Sequence, residues 1–599
     1  MTAELHNTNV NMEGLLEVLG KNLYSTPNVA IRELVQNAHD ACIRRKLESN
    51  FAEDLKIRIS VDNKHKLLYI EDNGSGLTYE EVLEFLATIG SGYTRLLRNQ
   101  TETEEMIGYF GLGFLSAYVI ASKVDVWTTS YKDPAKTWHF SSKGGKQFSI
   151  DEAVTGTIGT KVRLKISDNY HELCSTAVLE SLLRKYCCLL PIKIYLGDND
   201  FPVNDLQVPW LLRSEVSELR IKNQQMDFAS IFEDNFKPIC VIPLPYNEDL
   251  KVNGLIWIQD SSGFSTSDYR NVSVFVRNMF ITHEGRDLLP LWAGFVGCIV
   301  ESHSLTPTAS REDIQKDSAF EDLKEYLTSM LINGLKHLSQ YEPENWRRIL
   351  NRHNQALMGA AVNDDTLFHL LKDELKVPTS SGEMMMPNLT KQGEGKIYVR
   401  LEEKNNYEDV LFRARMIPVV SGYLFAAISF CQKYAELHQS KLVQLGTREG
   451  DNELFEEVQP SEFEYRRLKK LLQKPGDVLL FSRFNPEHVP MIIIEDKDAI
   501  LKNKMEQEGV DKRIGLAALS LAKLHTNKID ESQKRKLFIN LDSPLISKLI
   551  SDDIEESKAI HLAELLRSFI VTICHDASNE ELNFSKELEK FSHSLMAIL

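Results

Sequence analysis

The chain has 599 residues, of which 43% are hydrophobic and 26% charged, an ordinary composition for a globular protein. Because a chain of this length is too long to form a single hydrophobic core, we expect several domains. Its 69 basic and 86 acidic residues give a net charge of −17, and a surface of this sign repels phosphate backbones, so nucleic acid is not an expected partner. The apolar runs are far short of the ~20 residues that a membrane span needs, so no membrane association is expected.

The N-terminal sequence and the cysteines favour a reduced, cytoplasmic protein. The first residues show no basic stretch followed by an apolar one, so no secretory signal is expected. The eight cysteines are scattered, and Cys187–Cys188 is their one close pair. Because neither a CxxC nor an HExxH pattern occurs, the sequence suggests neither a zinc site nor a disulfide framework.

Hydrophobic periodicity predicts an α/β sandwich over about residues 1–205. Residues 11–23 have helical spacing, and a second helix should start at Pro27 and run to about Leu47. A third should start at Tyr79, capped by Thr78, and a fourth should cover residues 114–121. Strands are predicted at 56–61, 66–71, 124–131, 137–141 and 160–166.

A polar segment between Ile89 and Gly108 has little apolar content to anchor it, and glycines flank both of its ends. We interpret it as a lid covering about residues 88–113. A plain surface loop with a short helix is the alternative.

Two further domains are predicted beyond residue 210. The domain at 211–455 contains a buried strand and its exit at 272–281, a polar loop at 301–312 and a helix at 320–338. The helix-rich domain at 456–599 has strand candidates at 478–481 and 491–494 and a helix at 559–573. That last helix has a broad apolar face made of Ile560, Leu562, Leu565, Leu566, Phe569 and Ile573.

Candidate catalytic and ligand-binding residues cluster in the first domain. Glu33 precedes Asn37 by one helical turn, so both project from the same helix face. An Asp-Asn-Gly-Ser-Gly turn follows at 72–76 and a glycine loop at 108–113, and glycines let a backbone approach a ligand closely. A carboxylate, an amide and two glycine loops in this order predict a pocket that binds a nucleotide and hydrolyses it.

These stretches resemble the GHKL ATPases and, within them, the heat-shock-protein-90 chaperone family in its shorter bacterial type, HtpG. The resemblance continues through the segments at 276–281, 310–312 and 537–545 and covers most of the chain. It implies a multidomain α/β protein with an N-terminal GHKL (Bergerat) α/β sandwich, an α/β middle domain and a helix-rich C-terminal dimerisation domain.

The resemblance also implies roles for individual residues around ATP and Mg²⁺. Glu33 would activate the attacking water, and Arg311, from the second domain, would stabilise the γ-phosphate. Asn37 would bind Mg²⁺, and Asp72 would accept a hydrogen bond from the adenine amino group, with Thr160 assisting through water and Gly76 giving room for the base. The remaining nucleotide-binding set, which includes the phosphate cradle, consists of Asp40, Gly108, Tyr109, Phe110, Gly111, Leu112, Gly113 and Phe114.

Three departures from the family pattern concern the expected phosphate contacts. Phe85 stands where an asparagine is usual, the stretch 88–94 lacks the lysine of the lid although Arg95 is close, and Thr308 replaces an asparagine before Arg311. These changes predict altered phosphate contacts and slow turnover.

Two alternatives stay open. A GHKL ATPase of the mismatch-repair or topoisomerase class would use a lysine from the second domain and engage DNA, which Arg311 and the charge of −17 disfavour. A scaffold that binds nucleotide with weak or no hydrolysis is disfavoured by Glu33 and Arg311 but favoured by Phe85 and Thr308.

The favoured interpretation is an ATP-dependent homodimeric chaperone that acts on client proteins. The chain ends without the acidic tail that recruits helical-repeat co-chaperones to eukaryotic cytosolic members, so no such partner is expected.

Overall fold

A computed structural model gives the fold of most of the chain. It describes residues 28–49, 54–88, 113–145, 147–211, 217–233, 235–261, 268–308, 311–401, 411–413, 415–445, 447–495, 535–551, 554–574 and 584–599. The predicted first helix at 11–23 and the predicted lid between residues 88 and 113 therefore lie outside the described residues. The chain divides into two compact units, residues 1–353 and 354–599.

A seven-stranded sheet in the order β5-β4-β3-β6-β2-β1-β7 forms the first layer of the N-terminal unit. All neighbouring strands are antiparallel except β1 and β7, which are parallel. The strands are β1 (Lys56–Asp62), β2 (Leu67–Asp72), β3 (Ala121–Thr129), β4 (Thr137–Lys143), β5 (Gln147–Ala153), β6 (Gly159–Ile166) and β7 (Lys193–Leu196).

One face of this sheet packs against helices, as its alternating residues require. Ile57, Leu68 and Leu164 alternate with more exposed residues along their strands and join a core shared with the helix Val29–Ser49. The described helices of this unit are Val29–Ser49, Tyr79–Phe85, Ala117–Ile120, Thr176–Cys187, Glu218–Ile231 and Ser318–Tyr341; the helix Pro343–Asn363 contains the boundary between the units.

A second, five-stranded sheet of the N-terminal unit has the order β11-β10-β12-β9-β8. Its strands are β8 (Pro238–Asn247), β9 (Val252–Gln259), β10 (Asn271–Val276), β11 (Met279–Thr282) and β12 (Val296–Ser302). The predicted strand at 272–281 is thus a hairpin, because Arg277 and Asn278, with φ of 52° and 64°, turn the chain back. Two successive residues at positive φ match the twist of paired strands.

Buried side chains connect the two sheets across residue 210. Cys188 and Leu189, which follow the helix Thr176–Cys187, share one cluster with Phe275 and Phe280 of the second sheet. The ring centroids of Tyr186 and Phe280 are 5.4 Å apart in an edge-on arrangement, which is favourable for aromatic pairs. The N-terminal unit therefore has apolar packing that continues across the domain boundary predicted at 210.

The second unit contains a five-stranded sheet, ordered β14-β13-β16-β15-β17, and a four-stranded sheet, ordered β18-β19-β21-β20. Its strands are β13 (Lys376–Thr379), β14 (Gly382–Met385), β15 (Lys396–Arg400), β16 (Val420–Ser421), β17 (Lys441–Leu445), β18 (Glu456–Glu457), β19 (Asp477–Arg483), β20 (Met491–Glu495) and β21 (Arg535–Asn540). Its helices are Asp365–Leu371, Met386–Gln392, Ala427–His438, Arg448–Leu454, Glu462–Leu472, Pro544–Ile550, Glu556–Cys574 and Phe584–Ile598.

The apolar face predicted for residues 559–573 is divided in the structure. Ala563 and Leu566 of the helix Glu556–Cys574 are buried in the core of the second unit, whereas Ile560 and Phe569 are each 49% exposed. The same helix packs against Phe584–Ile598, with the Phe569 and Phe591 rings 6.5 Å apart. Among the described residues, no helix is both long and apolar enough to cross a membrane.

Most predicted elements of the first domain are present with shifted ends, but two short ones differ. The helix predicted at 114–121 is a 3-10 turn, Gly113–Ser116, followed by Ala117–Ile120, after which Ala121 already begins β3. The strands β5 and β7 were not predicted. The proposed domain boundaries at 210 and 455 stay predictions.

Candidate functional site

The helix Val29–Ser49 brings Glu33 to the centre of the candidate site. Its apolar residues Ile31, Leu34 and Val35 join the core, and this fixes which side of the helix Glu33 occupies. Glu33 is itself only 3% exposed, although it is ionisable. A carboxylate is rarely buried to this extent unless cations or donors surround it.

Arg311 supplies one of those cations from 278 residues further along the chain. Its Nη1 lies 2.9 Å from Glu33 Oε2 and also donates to Gln36 Oε1. The backbone of Arg311 has a φ of 54°, a left-handed conformation that costs a non-glycine residue about 1 kcal/mol. Surrounding contacts thus hold a locally unfavourable backbone that aims the guanidinium at Glu33.

Arg32 adds a second cation to the same group. Its Nη2 lies 3.2 Å from Glu33 Oε1, and its Nη1 donates to the backbone oxygen of Arg311 at 2.8 Å. The guanidinium also lies 6.0 Å from the ring centre of Tyr186. Glu33 is therefore held by one cation at each carboxylate oxygen, and Arg32 fixes the backbone that carries the other cation.

Asp72 ends β2 and faces the turn that follows it. Its Oδ1 accepts a hydrogen bond from the Gly74 backbone N–H at 2.8 Å. Burial of the carboxyl raises the pKa of Asp72 to about 7, although hydrogen bonds from Gly74 and Thr160 and the charge of Arg45 act in the opposite direction. The residue keeps partial contact with solvent, so an acceptor that is costly to ionise remains accessible to a ligand.

The glycines of the 72–76 turn are required by the protein backbone itself. Gly76 has a φ of 60°, and a Cβ there would lie 2.0 Å from the Thr129 backbone oxygen. A Cβ on Gly74 would lie 2.6 Å from the backbone carbon of Ala41. The turn is thus packed tightly against both the helix Val29–Ser49 and β3, which keeps Asp72 beside the helix that carries Glu33.

Thr160 lies directly across from Asp72, since the two residues are paired between β6 and β2. Its hydroxyl is 3.1 Å from that of Thr128, whose oxygen accepts a hydrogen bond from the Leu77 backbone N–H at 2.8 Å. The structure therefore brings the predicted water-mediating threonine next to the predicted adenine acceptor.

Gly113 and Phe114 are the predicted phosphate-cradle residues that the structure describes. A Cβ on Gly113 would lie 2.8 Å from Glu33 Oε2, so glycine allows the chain to pass directly over the carboxylate. Phe114 turns its ring toward the core, 6.2 Å from the Phe140 ring. The other predicted cradle residues (Gly108, Tyr109, Phe110, Gly111 and Leu112) and Arg95 lie outside the described residues.

The two remaining predicted ligands on the helix differ in accessibility. Asn37 is exposed, one turn beyond Glu33, where a metal–phosphate group could reach its amide oxygen. Asp40 is buried, with Oδ1 3.3 Å from His39 Nδ1. Direct contact with a nucleotide is therefore easier for Asn37 than for Asp40.

The residues that depart from the family pattern occupy the edges of the site. Phe85 is the last residue of the helix Tyr79–Phe85 and is partly exposed. Thr308 shapes the loop before Arg311: its backbone N–H donates to the Asp313 oxygen, and its own oxygen accepts from the Arg311 N–H, both at 2.9 Å. Thr308 thus supports the arginine backbone.

Arg32 and Gln36 belong to this site although the sequence did not single them out. Both are at most 2% exposed. Their positions beside Glu33 were visible in the sequence, but a basic and an amide residue on a helix normally indicate a solvated surface. Arg311 contacts both of them, Gln36 through its guanidinium group and Arg32 through its backbone oxygen.

The donor and acceptor groups of the described residues suit an adenine nucleotide that is bound together with a hard cation. Asp72 offers a carboxyl acceptor, while Arg311 offers guanidinium donors for phosphate oxygens. No group of three or more His, Cys, Asp or Glu residues suited to a metal occurs in the part of the chain that the structure describes. Mg²⁺ would therefore depend on Asn37 together with phosphate and water oxygens.

Two family profiles and several known proteins are similar to this chain. The family profile described as "Histidine kinase-, DNA gyrase B-, and HSP90-like ATPase" matches residues 24–153, and the one described as "Hsp90 protein" matches residues 203–394. The protein from Fusobacterium nucleatum named "Chaperone protein HtpG" is 25% identical over 568 residues, which cover 90% of this chain and 89% of that protein.

Two further proteins of that name align with a smaller part of this chain. The one from Desulfitobacterium hafniense is 27% identical over 62% of this chain and 63% of its own length, and the one from Helicobacter pylori is 28% identical over 62% and 65%. The chain thus matches somewhat less than two thirds of the length of these two relatives.

Proposed function

Because the chain belongs to the heat-shock-protein-90 family of GHKL ATPases, in its bacterial HtpG-like form, we propose that it is an ATP-dependent molecular chaperone. It binds ATP beside the helix Val29–Ser49, hydrolyses it and uses the cycle to close around client proteins. The observation that carries the proposal is the contact of Arg311 with Glu33 at 2.9 Å, which joins an arginine following the second sheet to a carboxylate on the helix Val29–Ser49 that packs on the first sheet.

The proposed reaction is attack of water on the γ-phosphorus, with release of ADP and inorganic phosphate. Glu33 orients the water and takes its proton as the bond from the γ-phosphorus to the bridging oxygen breaks. Arg311 stabilises the negative charge on the transferring group, and the backbone at Gly113 and Phe114 supports the phosphates. Asn37 would hold Mg²⁺, which would neutralise part of the charge on the triphosphate.

Before ATP binds, Glu33 is held by both Arg311 and Arg32. In this arrangement each carboxylate oxygen accepts a hydrogen bond from a guanidinium group, which competes with the attacking water for that oxygen. A γ-phosphate carries more negative charge than a carboxylate and competes for Arg311. Exchange of Arg311 from Glu33 to the phosphate then frees the base at the moment when the substrate is present.

Substitution of Arg311 tests this function directly. We expect Arg311→Ala to bind ATP nearly as well as the wild type but to release phosphate about 10³-fold more slowly, the usual effect of losing such an arginine. Arg311→Lys should restore little, because an ammonium group cannot fork onto two oxygens. Steady-state phosphate release and calorimetric ATP binding measure both.

Wild-type turnover in both arginine variants would contradict the inter-domain mechanism. Phosphate release absent from the wild-type chain itself would favour the nucleotide-binding scaffold instead. The mismatch-repair or topoisomerase class is less well supported, because the profile matched over residues 203–394 is that of Hsp90.

The same proposal includes a homodimer, client proteins and a cytoplasmic location. The half-exposed Ile560 and Phe569 offer an apolar strip that a second copy could cover by two-fold symmetry. The seven cysteines described as free are all buried, which suits a reducing compartment.

A further inference from the structure

Gln36 is a buried amide in direct contact with the arginine of the proposed mechanism. It lies on the same helix face as Glu33, is 1% exposed, and accepts a hydrogen bond from Arg311 Nη1. That nitrogen is the one that also reaches Glu33 Oε2. Arg311 thus has two acceptors on one helix, a charged one and a neutral one.

The chemistry of the guanidinium fixes the orientation of this amide. Arginine can only donate, so Gln36 must present its oxygen to Arg311 and direct its Nε2 elsewhere. Within the described part of the chain that Nε2 has no hydrogen-bond partner. A buried donor without a partner is costly, and substituting an apolar residue would remove that cost, so packing alone does not explain a glutamine here.

The neutral charge of Gln36 suits an anchor for an arginine that must change partners. When Arg311 leaves Glu33 for the γ-phosphate, a second carboxylate on the helix would oppose the exchange by attracting Arg311 and repelling the phosphate. An amide oxygen still binds the guanidinium but carries no net charge. It can therefore hold Arg311 both before and after the exchange.

We propose that Gln36 is a positioning residue that keeps Arg311 at the pocket while its charged partner changes from Glu33 to the γ-phosphate of ATP. The inference rests on the proposed ATPase function and adds to it the residue that aligns the arginine. Gln36 acts through Arg311 and not on the reacting atoms.

Gln36→Met separates this role from packing, because methionine has nearly the same volume and lacks the acceptor. In the full-length chain we expect kcat for MgATP to fall about tenfold, the usual effect of losing a hydrogen bond to a charged group. The KM should change little. In an Arg311→Ala background the same substitution should cause no further loss, because the residue through which Gln36 acts is then absent.

Gln259→Met is the matched control. Gln259 is also 1% exposed, and its amide donates to Glu233 and to the Tyr269 backbone in the second sheet. This variant should lower the thermal midpoint without changing kcat. A loss of kcat in the control equal to that in Gln36→Met would assign the effect to general destabilisation and overturn the proposal.

Gln36→Glu provides a second test that does not depend on tolerance of methionine. Its size is unchanged, yet its carboxylate should hold Arg311 in the resting arrangement and repel the phosphate, lowering kcat/KM about tenfold. Wild-type kinetics in either Gln36 variant, or additive losses with Arg311→Ala, would overturn the inference while leaving the ATPase function intact. Absence of phosphate release from the wild-type chain would instead refute the proposed function.

Discussion

Glu33 has both a structural and a proposed chemical role, because it balances the charge of Arg32 and Arg311 while also serving as the base. Removing one member of a buried ion pair leaves an uncompensated charge, which costs about 3–5 kcal/mol. A change at Glu33 therefore has to be chosen so that an effect on folding is not mistaken for an effect on chemistry.

Glu33→Gln is the appropriate substitution. It keeps the size of the side chain and an acceptor for one of the two arginines but cannot take a proton, so ATP binding should persist while hydrolysis slows about 10²-fold or more. Glu33→Ala should also lower the thermal midpoint, which a melting curve of both variants would measure. If Glu33→Gln turned over ATP at the wild-type rate, another group would have to activate the water.

Asp72→Asn should abolish ATP binding and also stabilise the protein at neutral and alkaline pH. The folded pKa of Asp72 is about 7, whereas a free aspartate titrates near 3.9. As the pH rises from about 4 to 7, the unfolded chain has lost the proton that the folded chain retains, so Asp72 progressively destabilises the fold. An asparagine carries no such cost.

The measurement is the thermal midpoint of both proteins without nucleotide at pH 5 and pH 8. The partial exposure of Asp72 limits its effect, so we expect a gain of about 2 kcal/mol at pH 8 and a smaller one at pH 5. Calorimetry would test ATP binding. If the wild type and Asp72→Asn had the same midpoint at pH 5 and also at pH 8, the raised pKa of Asp72 would be contradicted. Wild-type ATP affinity in Asp72→Asn would contradict the adenine role of Asp72.

At the scale of elements, the helix Glu556–Cys574 offers a test of dimerisation. Changing Ile560 and Phe569 to glutamate should cost little folding energy because both side chains are half exposed, yet it should prevent a second copy from covering them. Analytical ultracentrifugation should then show monomers. A phosphate-release assay should show much reduced ATPase activity. Leu437→Glu, at a residue 47% exposed on another helix of the same unit, is the control.

A double variant that still sediments as a dimer would place the interface on other residues. A deletion from residue 525 onward would be a poorer test. It removes Arg535–Asn540, which pairs with two neighbours inside the four-stranded sheet. Loss of the dimer could then follow merely from loss of that sheet.

The elements that the sequence predicted well are those with local signals. Thr78 caps the helix Tyr79–Phe85 in a reciprocal arrangement with Glu81, and such a cap is visible in a few adjacent residues. The turn at Arg277 and Asn278 was missed because it lacks glycine. β5 was missed because its residues are mostly exposed and show no regular alternation of burial.

The candidate site was predictable to different degrees for a similar reason. Glu33, Asn37 and Asp72 follow from motifs that occupy short stretches. Arg32 and Gln36 contact Arg311, nearly 280 residues away, and the contact of Arg311 with Glu33 has a sequence separation of 278. No periodicity within the helix could indicate such a partner.

At the scale of the whole molecule, the apolar packing across residue 210 bears on how the protein can be divided for study. A fragment ending near 210 would keep the seven-stranded sheet but uncover Tyr186, Cys188 and Leu189, which contact the second sheet in the intact chain. Such a fragment would expose apolar side chains that the intact chain buries, so it would self-associate. The nucleotide affinity measured for it would then be that of an associated fragment and not that of the intact chain. A cut near residue 353, where the compact unit ends, would keep those side chains covered and retain Arg311 beside Glu33.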